Sequence, residues 1–161
     1  MKALVVFYSR TGLTKKAANA IADTMGCEID EVSDSVNRAG VMGYIMAGKA
    51  AMGRSLTTIQ YALDPSKYDL VIIGTPIWAW NMTPAIRTYL SQNKDKLRDV
   101  AFFCTMGGQG GVKTFAEMGS IIGKKPLGTF ELTAREVSSG EYGQRLKTFI
   151  ADLNKSSKQS P

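Results

Sequence analysis

The chain reads as an α/β protein built on a parallel sheet with helices on both faces. Short, β-rich apolar runs recur at residues 3–8, 70–74 and 99–105, and an amphipathic helical pattern follows each one. Glycine, proline and hydroxyl residues gather directly after each run, where a chain leaving a buried strand must turn.

Residues 3–8 (ALVVFY) suit a strand covered on both faces, ended by Ser9-Arg10-Thr11-Gly12. From about Thr14 to Met25, Ala17, Ala18, Ile21, Ala22 and Met25 recur at spacings of three and four, with Lys15, Lys16, Asn19 and Asp23 between them. That spacing predicts a helix, and Gly26 stops it. Residues 70–74 (LVIIG) repeat the buried-strand pattern, and Thr83-Pro84 opens a helix carrying Ile86, Tyr89 and Leu90. Residues 99–105 (DVAFFCT) form the next strand, followed by a helix through Phe115, Met118 and Ile122. Gly128 to Leu132 reads as a further strand, and Tyr142 to Leu153 as a last helix with Leu146, Phe149 and Ile150 on one face. Residues 35–66 give the weakest pattern. There Gly40, Gly43, Gly48 and Gly53 interrupt Val41, Met42, Tyr44, Ile45, Met46 and Met52, so any helix is short or broken. One domain over 1–153 is expected, with a polar, frayed tail at 154–161.

The composition sets limits on chemistry. With 161 residues, 44% of them hydrophobic, the chain can bury a full core. Twenty Lys+Arg against 14 Asp+Glu leave a net charge of +6, so the surface attracts anions without saying which. There is no histidine, which removes Ser-His-Asp and Cys-His catalysis and histidine metal sites. A bound cofactor is then the natural carrier of any reaction, and no catalytic side chain or metal ligand is expected. Cys27 and Cys104 belong to no CxxC pair and read as buried, reduced thiols. The N-terminal apolar run is too short for a secretion signal or a membrane span, which predicts a soluble cytoplasmic protein. Lys and Arg are spread along the chain without interleaved aromatics, so nucleic acid is not an expected partner.

In a parallel sheet, ligands collect at the carboxyl ends of the strands. Three loops qualify: residues 9–14, 75–82 and 105–111. In the first, three hydroxyls and several backbone N–H groups at a helix N-terminus can surround a phosphate, with Gly12 allowing close approach. The same residues also fit an ordinary turn with Thr11 or Thr14 as N-cap. The loop has neither the NTPase nor the dinucleotide glycine pattern. Phe7-Tyr8-Ser9 lacks the acidic pair of a phosphoacceptor receiver, and no cysteine is present for a tyrosine phosphatase loop.

The S-x-T-G-x-T loop after the first strand resembles the FMN phosphate loop of the flavodoxin-like family. Gly74-Thr75-Pro76-Ile77-Trp78 is similar to the flavodoxin segment whose tryptophan stacks on the flavin. Continued through Ala79-Trp80-Asn81-Met82, it also resembles the GTP-x-x-x-x-N-M loop of flavodoxin-like quinone reductases. The resemblance implies a three-layer sandwich around a five-stranded parallel sheet in order 2-1-3-4-5. It further implies that Ser9, Thr11 and Thr14, with the N–H groups of Arg10, Gly12 and Leu13, bind the FMN phosphate. Thr75, Pro76, Ile77, Trp78, Ala79 and Trp80 would line the ring. Thr105, Met106, Gly107, Gly108, Gln109 and Gly110 would close its other side. The Arg10 side chain can add charge to the phosphate or point to solvent. The two tryptophans can be core anchors or a flavin platform, and Trp78 ranks first because it matches the flavodoxin position.

Three departures weaken the pure electron-carrier reading. The third loop has no aromatic to cover the outer flavin face. Ala79 stands where many flavodoxins place a glycine whose peptide flips to stabilise one-electron-reduced flavin, and alanine disfavours a flipped state with φ > 0. The chain is basic, where carriers are usually acidic. The expectation is therefore an FMN oxidoreductase taking hydride from NAD(P)H and passing electrons to a quinone-like acceptor, with a carrier serving a redox partner protein as the alternative.

Overall fold

This computed structural model describes residues 1–35, 49 and 56–157. Most of the glycine-interrupted stretch therefore lies outside the described residues, and its broken-helix expectation with it. In chain order the elements are β1 (Ala3–Phe7), α1 (Leu13–Met25), β2 (Glu28–Glu31), β3 (Ser33–Asp34), β4 (Ile59–Gln60), a short 3-10 turn (Pro65–Lys67) and β5 (Leu70–Pro76). They continue with α2 (Pro84–Asn93), β6 (Asp99–Met106), α3 (Gly111–Ile122), β7 (Thr129–Thr133), α4 (Ala134–Ser139) and α5 (Gly143–Ser156).

The main sheet runs β2-β1-β5-β6-β7, and every pairing in it is parallel. Setting aside the small antiparallel β3–β4 pair, this is the expected 2-1-3-4-5 order. Side chains alternate across the sheet. Ala3, Val5 and Phe7 share one core with Ala17, Ala18 and Ile21 of α1 and with Leu146, Phe149 and Ile150 of α5. Leu4, Val6 and Tyr8 share the other with Ile86, Tyr89 and Leu90 of α2 and with Phe115, Met118 and Ile122 of α3. Because helices cover both faces, the central strands read as unbroken apolar runs rather than alternating ones.

The helix signals hold. Thr83 caps α2, its Oγ1 accepting the Ile86 N–H at 3.4 Å with Pro84 in the first turn. Gly26, at φ 67°, ends α1. The final helix runs to Ser156, past the expected boundary at 153, while 158–161 lie outside the described residues.

No sequence pattern located β2. Its residues, Glu-Ile-Asp-Glu, form an edge strand on which only Asp30 is buried. The Asp30 carboxylate accepts the N–H groups of Ala62 (2.9 Å) and Leu63 (2.7 Å), tying the segment before β5 to the sheet edge. One glycine in β5 is required by packing. Gly74 lies in register with Phe103, and a Cβ there would stand 2.0 Å from the Phe103 ring. Among the described residues, no helix is long and apolar enough to cross a membrane.

Candidate functional site

Strand order reverses between β1 and β5, because β1 leads outward to β2 and the chain then returns to the other side of β1. The loops after β1, β5 and β6 therefore leave three adjacent strands at the same end, where parallel sheets bind ligands. A larger hollow of about 1180 Å³ lies at the opposite end, lined by Lys2, Cys27, Glu28, Asp69 and Arg98. There Lys2 pairs with Glu28 and Arg98 with Asp69, both at 3.5 Å.

In the first loop, Gly12 is the N-cap of α1 at φ 90°, with no side-chain cap, so neither Thr11 nor Thr14 caps the helix. Ser9 does part of that work: its Oγ accepts the N–H groups of Gly12 (3.1 Å) and Lys15 (3.3 Å), leaving its own proton to donate. The N–H groups of Leu13 and Thr14 take no acceptor among the described residues. Thr11 and Gly12 are exposed, and Arg10 and Leu13 are half-buried. Thr14 is buried, and its hydroxyl lies 2.7 Å from that of Thr105 on β6. The first loop is thus a helix start with donors to spare, held to the root of the third loop by a hydroxyl pair.

The second loop is closed from within. Thr75, fully buried, accepts the Thr83 N–H at 3.1 Å and donates to the Pro76 carbonyl at 2.9 Å, so its hydroxyl shapes the loop. Pro76 is half-buried, and Ile77 donates its N–H to the Thr105 carbonyl at 2.9 Å, extending the β5–β6 ladder. Trp78 and Asn81 exchange two backbone hydrogen bonds (2.9 and 3.0 Å) around a two-residue turn made by Ala79 and Trp80. Both turn residues have positive φ, 47° and 61°. Ala79 thus occupies the region that alanine disfavours, and the paired hydrogen bonds hold both residues there against their own steric preference.

The two tryptophans differ in burial. Trp78 is 8% exposed and meets Tyr8 edge-on at 5.6 Å, inside the core shared with α2 and α3. Trp80 is 61% exposed. Because the turn reverses direction after Trp78, the first indole points into the core and the second stands at the mouth of the site. Trp80 is therefore the more accessible indole at the cavity, while Trp78, ranked first from the sequence, packs in the core.

The third loop is open. Met106 is buried at its root, while Gly107, Gly108 and Gln109 are exposed, with free space where a Cβ would stand on either glycine. Gly110, at φ 111°, lets this loop approach the second: a Cβ there would lie 3.0 Å from Ile77 Cγ2 and 3.3 Å from the Trp80 Cα. Between the two loops lies a cavity of about 740 Å³, bounded by Trp80, Asn81, Met106, Gly108 and Val112, with Lys113 and Glu131 at its edge.

Val112, Lys113 and Glu131 were not singled out from the sequence, and Asn81 entered only as the asparagine of the GTP-x-x-x-x-N-M resemblance. Asn81 is 7% exposed and donates its Nδ2 to the Ala79 carbonyl at 2.9 Å, while its buried Oδ1 has no partner among the described residues. Glu131 comes from β7 and reaches the start of α3 only because Gly111 has no side chain; a Cβ there would stand 2.4 Å from Glu131 Oε1.

The side chains supply little reactivity of their own. Burial, and then the charge of Glu131, push the Cys104 thiol up to about 12; burial, and then Glu28, push Cys27 up to about 11. Both stay protonated near neutrality, which removes them as nucleophiles. Among the described residues no group of three or more His, Cys, Asp or Glu side chains could hold a metal. The residues present fit a ligand with an anionic end on the α1 N-terminus and a flat ring against the second and third loops.

Fold and site together define a class: doubly wound α/β proteins that seat a ligand on three loops at the strand-order reversal. Residues 2–122 match the family described as Flavodoxin, and the chain belongs to that family. Among solved structures, it is 28% identical to a flavoprotein from Lactobacillus acidophilus crystallised with FMN (TM-score 0.71; 86% of this chain and 97% of that one covered). A flavoprotein from Bacteroides uniformis is 20% identical (TM-score 0.76; 93% and 97% covered). An NADH:FMN oxidoreductase in its apo form is 16% identical (TM-score 0.60; 100% and 92% covered). These last two likenesses concern the fold alone. No curated protein sequence matches the chain.

Proposed function

We propose that this protein binds FMN and is an oxidoreductase that takes electrons from NAD(P)H and passes them to a quinone-like acceptor. The carrying observation is the open third loop. Gly107, Gly108 and Gln109 place no bulky side chain over the cavity beside Trp80, so a second flat molecule has room to reach the ring. Hydride transfer requires reacting atoms within about 3–3.5 Å, which an aromatic cover over that face would prevent. When bound, FMN supplies the redox chemistry, which suits a chain without histidine and with both cysteines protonated.

The chain's own residues bind and orient. The unpaired N–H groups of Leu13 and Thr14 and the hydroxyls of Ser9, Thr11 and Thr14 hold the phosphate, favoured by the positive end of α1. The turn from Trp78 to Asn81 forms one wall of the ring seat, with Trp80 exposed on it, and Met106 to Gly110 form the other. The belonging of the chain to the flavodoxin family and the FMN bound by the Lactobacillus relative support this assignment.

The test is to purify the protein, reconstitute it with FMN, read the flavin spectrum, and follow NADH and NADPH oxidation with and without added quinone. Turnover that depends on quinone is expected. Flavin bound tightly without turnover would make the protein an electron carrier, and no flavin uptake would end both readings. A Thr11→Ala/Thr14→Ala variant should bind FMN at least tenfold more weakly, by about 1.4 kcal/mol or more. Normal binding by that variant would move the phosphate elsewhere.

A further inference from the structure

We infer that the acceptor side of the site takes neutral molecules with an apolar substituent, Val112 supplying the apolar contact and Glu131 turning anions away. This rests on the FMN reading above and deepens it by naming the acceptor's chemistry and the two residues that select it, neither of which lies in the three loops.

Val112 is 78% exposed, the most exposed large apolar side chain among the described residues. It is the second residue of α3, and the helix itself has no use for it there. An exposed first turn favours small polar or acidic residues, and a β-branched side chain is a weak helix former. In α3 that turn holds no acidic residue and no side-chain cap. Val112 instead borders the cavity opposite the exposed Trp80, so two of the exposed large apolar side chains stand at one opening. It also directly follows the third loop, whose exposed Gly107, Gly108 and Gln109 leave that side clear for a second flat molecule. Covering exposed apolar surface is favourable in proportion to its area, so a ligand group that covers Val112 binds more tightly than one that leaves it wet.

The charges favour the same class of ligand. The N-terminus of α3 carries a partial positive charge and would by itself attract an anion. That place is taken: the Glu131 carboxylate reaches it from β7, its Oε1 2.4 Å from where a Cβ on Gly111 would stand. Among the described residues, Glu131 and Lys113 are the charged side chains bordering the cavity, one of each sign, so an incoming anion finds no net attraction. An anionic substituent would meet the carboxylate in a confined site, where like charges repel more than in water. A methyl or longer alkyl group meets Val112 and Trp80 at no such cost.

The test is equilibrium dialysis of two quinones against the FMN-loaded, oxidised protein, which has no electrons to give them: methylnaphthoquinone, and the naphthoquinone carrying a sulfonate in place of the methyl. The wild-type protein should hold the methyl compound about tenfold or more tightly than the sulfonate. Val112→Ser should narrow that ratio about threefold or more by weakening the methyl compound. Glu131→Gln should narrow it by a similar factor of about threefold by strengthening the sulfonate. Each ratio is read on protein already loaded with flavin, so a change in FMN affinity does not enter it. Equal wild-type affinity for the two quinones, or binding of neither, would overturn the inference without a variant and leave the FMN reading standing. A ratio unmoved by Val112→Ser would remove Val112 from the selection, and one unmoved by Glu131→Gln would remove Glu131. Failure of the wild-type protein to take up FMN would overturn the underlying reading as well.

Discussion

Replacing Gly74 by alanine tests whether the packing under the second loop is as tight as the structure makes it. A Cβ on Gly74 would fall 2.0, 2.2 and 2.6 Å from three carbons of the Phe103 ring, all far inside van der Waals contact. Phe103 is fully buried between β5, β7 and the helices of its layer, so the ring has no solvent to move into. Overpacking of this kind costs about 1–3 kcal/mol, and three simultaneous clashes place Gly74→Ala at about 3 kcal/mol. For a chain of this length that is a fall of about 6–12 °C in Tm. Phe103→Leu alone should cost about 1–2 kcal/mol by leaving a partial void. The double variant should be no worse than Gly74→Ala alone, because the smaller side chain vacates the space the methyl needs, and the two changes should couple by about 1 kcal/mol or more. Urea unfolding followed by tryptophan fluorescence measures all three. Gly74→Ala within about 0.5 kcal/mol of wild type, or strict additivity in the pair, would refute the packing argument.

Other consequences can be checked singly. Trp78→Ala should destabilise the fold by about 3–5 kcal/mol, as for other buried aromatics, whereas Trp80→Ala should change stability by less than about 0.5 kcal/mol and instead weaken FMN binding; denaturation and flavin titration separate the two. Asp30→Ala should lower stability by about 2 kcal/mol in chemical denaturation, since the N–H groups of Ala62 and Leu63 lose a charged acceptor. The backbone N–H of Thr133 first, then its hydroxyl and Arg145, hold the Glu136 carboxyl below its ordinary value. Its contribution is therefore present above about pH 4.3 and lost as pH falls through the lower folded value. Glu136→Gln should then be less stable than wild type at pH 7, with the gap closing in acid.

The sequence displayed the central strands and the helices facing them because both signals are periodic and local. Leu70–Ile73 and Val100–Cys104 are apolar at every position since both their faces are covered. β2 was invisible for the opposite reason: an edge strand whose one buried side chain is an aspartate carries no hydrophobic period. The site was legible as three loops in order, but not in detail. Whether Trp78 or Trp80 faces outward depends on a turn in which two residues without the freedom of glycine adopt positive φ, and that conformation is imposed by pairing across the turn. Glu131 reaches the cavity from a strand distant in sequence, so no local pattern could have announced it.

The hydroxyl pair joining Thr14 to Thr105 has a consequence for how the loops inform one another. Each threonine has a single proton, and at 2.7 Å one of the two must be spent on the other. If Thr14 donates to a phosphate, it can meet Thr105 only as an acceptor, and the Thr105 proton is drawn away from every other use. Without the phosphate the direction can reverse with no heavy atom moving. Under the proposed function, a phosphate that drew the Thr14 proton would fix the direction of the hydrogen bond at the root of the third loop.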